Sequence, residues 1–171
     1  MDQITVKRIG ASHPKIRAEL LRLYEKANSV LGKGCRLRFS YVQRTPEEQH
    51  KLYLQRPKVT NADSWQSIHQ YGLAFDIVLL YDKDGDGNFE EVSWDMKRDG
   101  DKDNIADWLE VTKVFVEAGY VNGFITNGKK WDFPHFQKDF GLSWRQMKAK
   151  IDSGNYFTEV VNNYKYKYIN I

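Results

Sequence analysis

Two short segments carry ionisable side chains in settings where such groups rarely sit without a task. In Ser67-Ile68-His69-Gln70-Tyr71-Gly72-Leu73-Ala74-Phe75-Asp76, a histidine closes a polar stretch and an aspartate falls inside an apolar run. In Trp131-Asp132-Phe133-Pro134-His135-Phe136, an aspartate and a histidine stand among large apolar residues. A carboxylate within a buried strand is costly unless it is paired or binds a metal. Taken singly, each segment also reads as a hydrogen-bonded core histidine or an aspartate at a bulge. One ion accounts for both. His69, Asp76 and His135 supply the imidazole and carboxylate donors that suit a catalytic zinc, which keeps three protein ligands and an open position. Asp132, three residues before His135, is left as a base for water.

These groups are far apart in sequence, so the fold must bring them together. Ile16, Leu20, Tyr24, Ala27 and Leu31 recur at steps of three and four and predict a helix over 14–31. Ser12 is its expected cap, Pro14 its first residue, and Gly32 and Gly34 its stop. Residues 35–42 alternate as a strand. Thr45 before Pro46, Glu47 and Glu48 predicts an N-cap and a helix to about Gln55. Residues 56–71 are polar and irregular, and 73–80 form a buried strand interrupted by Asp76. An acidic loop over 82–103 is followed by a helix over 103–118, stopped at Gly119. Strand-like pieces follow at 121–126 and 133–138, then a helix over 144–152 capped by Ser143. The tail from Asn155 alternates weakly, as an edge strand or surface segment. Without a regular βαβ rhythm, the expected class is α+β, a small antiparallel sheet flanked by helices. No repeat or linker is present, so 1–171 reads as a single domain.

The order and content of these motifs resemble the M15 family of peptidoglycan peptidases. That family includes D-alanyl-D-alanine carboxypeptidases and dipeptidases, and the L-alanyl-D-glutamate endopeptidases of phage lysins. Ser67 to Asp76 matches S-x-H-x-x-G-x-A-x-D, and Asp132 to His135 matches D-x-P-H. The segment Tyr41-Val42-Gln43-Arg44-Thr45-Pro46-Glu47-Glu48-Gln49 resembles the family's G-Y-R-T-x-x-E-Q, and Val59-Thr60-Asn61-Ala62 and Trp131 to Gln137 resemble stretches of the endopeptidase branch. The likeness runs over about 14–140, leaving a C-terminal helix and tail at 141–171. It implies the D-Ala-D-Ala peptidase-like fold shared with Hedgehog-type domains, and zinc on His69, Asp76 and His135. It also implies Asp132 as base and Arg44 as the cation facing the scissile carbonyl. Ser67 and Gln49 are candidates for orienting the site or substrate. Gln43 departs from the Gly-aromatic pair that relatives carry before the arginine, which bears on substrate choice. The expected reaction is hydrolysis of the stem peptide between L-Ala and D-Glu. The alternatives are a D-Ala-D-Ala carboxypeptidase of the same fold and a non-catalytic zinc-binding domain.

A second metal is suggested by Asp82-Lys83-Asp84-Gly85-Asp86-Gly87-Asn88-Phe89-Glu90, which starts like a calcium loop, with Asp82, Asp84 and Asp86 at alternate positions and Asn88 and Glu90 following. Position 12 is Ser93 rather than glutamate, and Asp95, or Glu91 with Glu90, is expected to complete the shell. The single cysteine, Cys35, excludes an internal disulfide and a Cys-based zinc site, and reads as a buried strand thiol. A net charge of +3 spread over the chain, without a recognisable motif, argues against nucleic acid. No apolar run approaches the roughly 20 residues that span a bilayer, and no secretory signal precedes residue 20. The expectation is a monomer made in the cytoplasm that meets the wall after release.

Overall fold

The computed structural model describes residues 1–125, 128 and 132–171. Its first helix, α1 (Gln3–Gly10), precedes the helix that the sequence reading singled out. It is held by its cap: Asp2 accepts from the Thr5 amide and hydroxyl and pairs with Arg38 through two bonds of 2.9 Å. Helix α2 (Pro14–Val30) follows the predicted face, with Ile16, Leu20, Tyr24 and Ala27 buried. Its cap is His13, whose Nδ1 accepts from the Lys15 amide, and not Ser12. The Ser12 hydroxyl instead donates back to the Ile9 carbonyl and closes α1.

Strand β1 (Cys35–Tyr41) leads to α3 (Pro46–Leu54), which has the Thr45–Glu48 capping box its sequence announces. A 3-10 turn (Ile68–Tyr71) precedes the central strand β2 (Ala74–Tyr81). The acidic region is not all loop, because β3 (Glu91–Ser93) pairs with β2. Helix α4 spans Asp107–Glu117 and starts four residues later than its periodicity suggests. The cause is the run 99–105, whose aspartate side chains bind their own backbone amides in local turns. After β4 (Val121–Asn122) and β5 (His135–Gln137) come α5 (Trp144–Asp152) and the strands β6 (Tyr156–Val161) and β7 (Tyr164–Ile169). The tail therefore forms its own hairpin. Asn162 and Asn163, with φ of 52° and 65°, make the two-residue turn whose left-handed geometry suits the twist of paired strands. The 121–126 piece ends at Thr126, and the motif at 131–137 begins with Trp131; both residues lie outside the described residues.

Among the described residues the main sheet runs β1-β2-β5-β4, all antiparallel, with β3 on the same edge of β2 as β5. One face is packed: Phe39, Phe75 and Phe136 stack in sequence at 4.5 and 5.3 Å, and Phe115 of α4 closes over them. Alternation along a strand then turns the neighbours Asp76 and His135 to the opposite face. Cys35 is 4% exposed on the core side, and burial pushes its thiol up to about 12, as expected of an inert strand residue. Among the described residues no helix is long and apolar enough to cross a membrane.

Candidate metal centre

Strand register places two of the three predicted ligands. In the β2–β5 pair, Asp76 lies directly opposite His135, so their side chains meet on one face. On the other edge of β2, the register with β1 slips between Phe39 and Tyr41, bringing Tyr41 opposite Asp76. Such a bulge re-aims the chain that leaves it, and the next carbonyl, that of Val42, binds His69 Nδ1 at 2.8 Å. The turn carrying His69 opens at Ser67, whose amide donates to Gln70 Oε1 at 3.3 Å, and closes at Gly72. Gly72 has φ of 69°, and a Cβ there would lie 2.6 Å from the His13 amide nitrogen and from Gln43 Oε1. Only glycine satisfies both the backbone angle and the space.

His69 Nε2, His135 Nδ1 and Asp76 Oδ1 converge. The separations are 3.3 Å between the two rings, 3.3 Å from His69 to Asp76 and 3.1 Å from His135 to Asp76. Donors about 2.0–2.1 Å from a tetrahedral zinc stand ~3.3–3.4 Å from one another. The three atoms therefore outline one face of such a tetrahedron. Each ring is oriented through its other nitrogen, His69 by the Val42 carbonyl and His135 by Gln137 Oε1 at 3.1 Å. Gln137 is held in turn by Asp139 at 2.9 Å, and outer partners of this kind are the usual companions of metal-binding imidazoles. Sequence reasoning missed this pair, whose only cue was proximity to His135.

Charge follows the same plan. Burial pushes the His69 ring down, toward the neutral form that binds metal, with Asp76 opposing. Burial also works against ionising Asp76, but the two rings hold its carboxyl far below the usual carboxylate range. At His135 the neighbouring Asp76 outweighs burial, and the ring is raised.

Arg44 and Gln49 belong to the same constellation. Arg44 Nη2 reaches Asp76 Oδ2 at 3.3 Å, and its Nη1 donates to Gln49 Oε1 at 3.1 Å. Gln49 is fully buried and donates to the Ala62 carbonyl at 2.6 Å. It is thus no helix-surface residue, and it ties the arginine to the Val59–Ala62 segment. Asp132 stands outside the three-atom cluster. Its carboxyl packs against Gly123, where a Cβ would come within 2.7 Å of Asp132 Oδ2, and its charge contributes to raising His135.

Asn122, which the sequence did not single out, frames that corner. It is 1% exposed, donates to the Phe133 and His135 carbonyls at 2.9 and 3.0 Å, and accepts from the Phe124 and Ile125 amides.

In the acidic loop, Asp82, Asp86 and Glu90 come within reach of one ion, whereas Asp84 and Asn88 fall outside that group. Asp84 accepts from the Asp86 amide, and Asn88 donates to Asp86. Glu91, an expected shell member, is held by Arg98 at 2.8 and 3.2 Å. Asp95 is engaged by the Lys97 amide at 2.9 Å. Asp99, Asp101 and Asp107 form another such acidic group, unanticipated from sequence. Asp107 is already satisfied by the Tyr81 hydroxyl and the Gly100 amide.

The fold is one seen in solved structures. The crystal structure of the Serratia marcescens L-Ala D-Glu endopeptidase ChiX superposes with a TM-score of 0.52, covering 86% of this chain and 92% of that one at 19% identity. In sequence, 99 residues of the chain are 38% identical to the peptidoglycan L-alanyl-D-glutamate endopeptidase CwlK of Bacillus subtilis (strain 168). That stretch is 55% of this chain, and the chain spans about half of the relative, 55% of its length. No family model matches the chain.

Proposed function

We propose that the chain is a zinc-dependent peptidoglycan peptidase that hydrolyses the stem peptide between L-Ala and D-Glu. The observation that carries this reading is the triangle of His69 Nε2, His135 Nδ1 and Asp76 Oδ1, with edges of 3.1–3.3 Å beside a half-buried carboxylate and an arginine. The likeness to two endopeptidases of that bond supports the choice of substrate.

Zinc, when bound by His69, Asp76 and His135, supplies a Lewis acid that lowers the pKa of water and polarises a carbonyl. Asp132 takes the proton from the attacking water and returns it to the leaving amine. Arg44, fixed by Gln49, presents its permanent charge to the oxygen that becomes negative as water adds to the carbonyl. Asp76 has a second task, because its Oδ2 anchors Arg44 while Oδ1 faces the metal position. Ser67 opens the turn that delivers His69.

The acidic loop is a calcium site in this proposal, with Asp82, Asp86 and Glu90 as its donors. Calorimetry that detects no heat from millimolar calcium removes it. The protein acts as a monomer on the wall.

Digestion of defined muropeptides, read by mass spectrometry with and without a chelator, tests the whole. Expected is cleavage at L-Ala–D-Glu that the chelator abolishes. Release of terminal D-Ala identifies a carboxypeptidase instead. An Asp132→Ala variant is expected to lose lysis and keep zinc; a non-catalytic zinc domain lyses nothing in either form.

A further inference from the structure

The two imidazoles face the metal position through different nitrogens, His69 with Nε2 and His135 with Nδ1. A ring binds metal through a nitrogen free of its proton, so the proton of the neutral ring must sit on the other one. For His69 the backbone settles this, because Nδ1 faces the Val42 carbonyl at 2.8 Å, an acceptor that cannot turn round. For His135 the acceptor is a side chain: Nε2 faces Gln137 Oε1 at 3.1 Å. An amide can present either its oxygen or its NH2 to a ring. With the NH2 turned inward, the ring proton would be driven to Nδ1. Asp76 pulls it the same way, since its Oδ1 lies 3.1 Å from His135 Nδ1 and can accept a proton bond there.

Asp139 removes the choice. Its Oδ2 receives Gln137 Nε2 at 2.9 Å, and a carboxylate can only accept. The amide nitrogen is therefore held to Asp139 and the amide oxygen is turned to the ring. The ring proton is drawn to Nε2, and the lone pair is left on Nδ1. Asp139 is itself aimed, because its Oδ1 accepts from the Gly141 amide at 2.9 Å. It opens a tight turn in which Phe140 and Gly141 both take left-handed angles, φ of 54° and 76°. The preceding residue, Lys138, is anchored on Glu19 of α2 at 2.9 and 3.0 Å. The turn after β5 is thus fastened to the body of the protein, and it fixes the direction of every bond between Asp139 and the metal position.

We propose that Asp139 is a positioning residue for the metal, acting through Gln137 to hold His135 in the tautomer that offers Nδ1 to zinc. The inference rests on the zinc reading above. It gives Asp139 a task that its bond to Gln137 alone does not state: the carboxylate sets which way the glutamine points, and so which nitrogen of the ring is free.

The test measures the zinc affinity of the full chain by competition with a chromophoric chelator, beside urea melts of the zinc-free protein. Asp139→Asn keeps size and shape but can offer either end to Gln137, so the glutamine amide is free to turn. Affinity is expected to fall by about tenfold, the lower end of what lost outer partners cost, with the zinc-free melt unchanged. Gln137→Glu/Asp139→Asn restores the direction of the bonds by exchange, since the new carboxylate accepts both from the ring and from the new amide. Its affinity is expected to return to within about threefold of wild type. A residue that only braced the turn would not be rescued by a change in its partner. Wild-type affinity in Asp139→Asn overturns the inference, as does an exchange variant that binds no tighter than Asp139→Asn. A deficit that disappears in roughly 1 M salt, where the Debye length is about 3 Å, is lost charge alone and overturns it too. A wild type that binds no zinc overturns the parent reading, and the relay with it.

Discussion

Replacing Gly123 by alanine is expected to disable hydrolysis while sparing the metal centre. The added methyl would land on the Asp132 carbonyl oxygen, 2.7 Å from Oδ2 and 2.8 Å from Cβ of the same residue. Ordinary contacts of a methyl carbon fall at about 3.5–4.0 Å, so Asp132 must retreat by roughly 1 Å. Its carbonyl is backbone, which no rotamer change can move. A misplacement of about 1 Å costs on the order of 100-fold in rate. Overpacking of this kind also destabilises by about 1–3 kcal/mol. The metal-facing atoms of His69 and Asp76 lie on other elements; His135 is fixed by its pairing with Asp76 and by Gln137, and its carbonyl accepts from the Gly123 amide at 3.0 Å, a backbone bond that alanine can also make. Zinc affinity, measured by competition with a chromophoric chelator, is expected to stay within about tenfold of wild type, since lost outer partners cost 10–100-fold. Peptide cleavage followed in parallel is expected to fall about 100-fold. Unchanged cleavage refutes the placement of Asp132 as base. Equal loss of zinc and activity shows that this corner supports the ligands instead.

Other outcomes follow from the same structure. Arg38 and Thr5 hold the Asp2 carboxyl at about 2 against the opposing push of burial. The lowered pKa contributes stability that is full above about 3.8 and is lost as pH falls toward 2; urea titrations should read on the order of 2 kcal/mol over that window, much less in Arg38→Gln. Burial, and then Asp103, Asp101, Asp107 and Asp99, push Glu110 up to about 7. A raised carboxyl favours the fold below its ordinary pKa of 4.5 and loses that advantage as pH climbs through 7. Denaturant melts in chelator are thus expected to weaken between pH 5 and 8 by on the order of 1 kcal/mol, solvent screening included, and Glu110→Gln should flatten the change. Asn122→Ala leaves two amides and two carbonyls without their side-chain partner and is expected to cost about 2–4 kcal/mol in a chemical melt.

Much of the site was legible because its chemistry conflicts with its surroundings. Asp76 announces itself as a charge in an apolar strand, and His135 as an imidazole among aromatics. The helices with capping boxes, α3 and α5, were also readable, since their Thr45 and Ser143 caps are local signals, joined in α3 by a proline and an acidic first turn. What escaped depends on partners distant in sequence. Helix α1 is fastened by an ion pair to Arg38, and β3 exists because β2 offers it an edge. Asn122 has no sequence signature, since its role comes from carbonyls 11 and 13 residues away. The start of α4 was misplaced for a local reason, as aspartates that could have joined the helix cap their own turns instead. The alternation of the tail was readable as strand but its hairpin was not, because the cue, two adjacent asparagines adopting left-handed angles, was passed over.

Anomalous diffraction at the zinc edge, from crystals grown with one equivalent of zinc, decides whether the two imidazoles and the aspartate hold a metal. One dominant peak is expected within bonding distance of His69 Nε2, His135 Nδ1 and the Asp76 carboxylate. A dominant peak among the acidic loops, with none between those two rings, would contradict it.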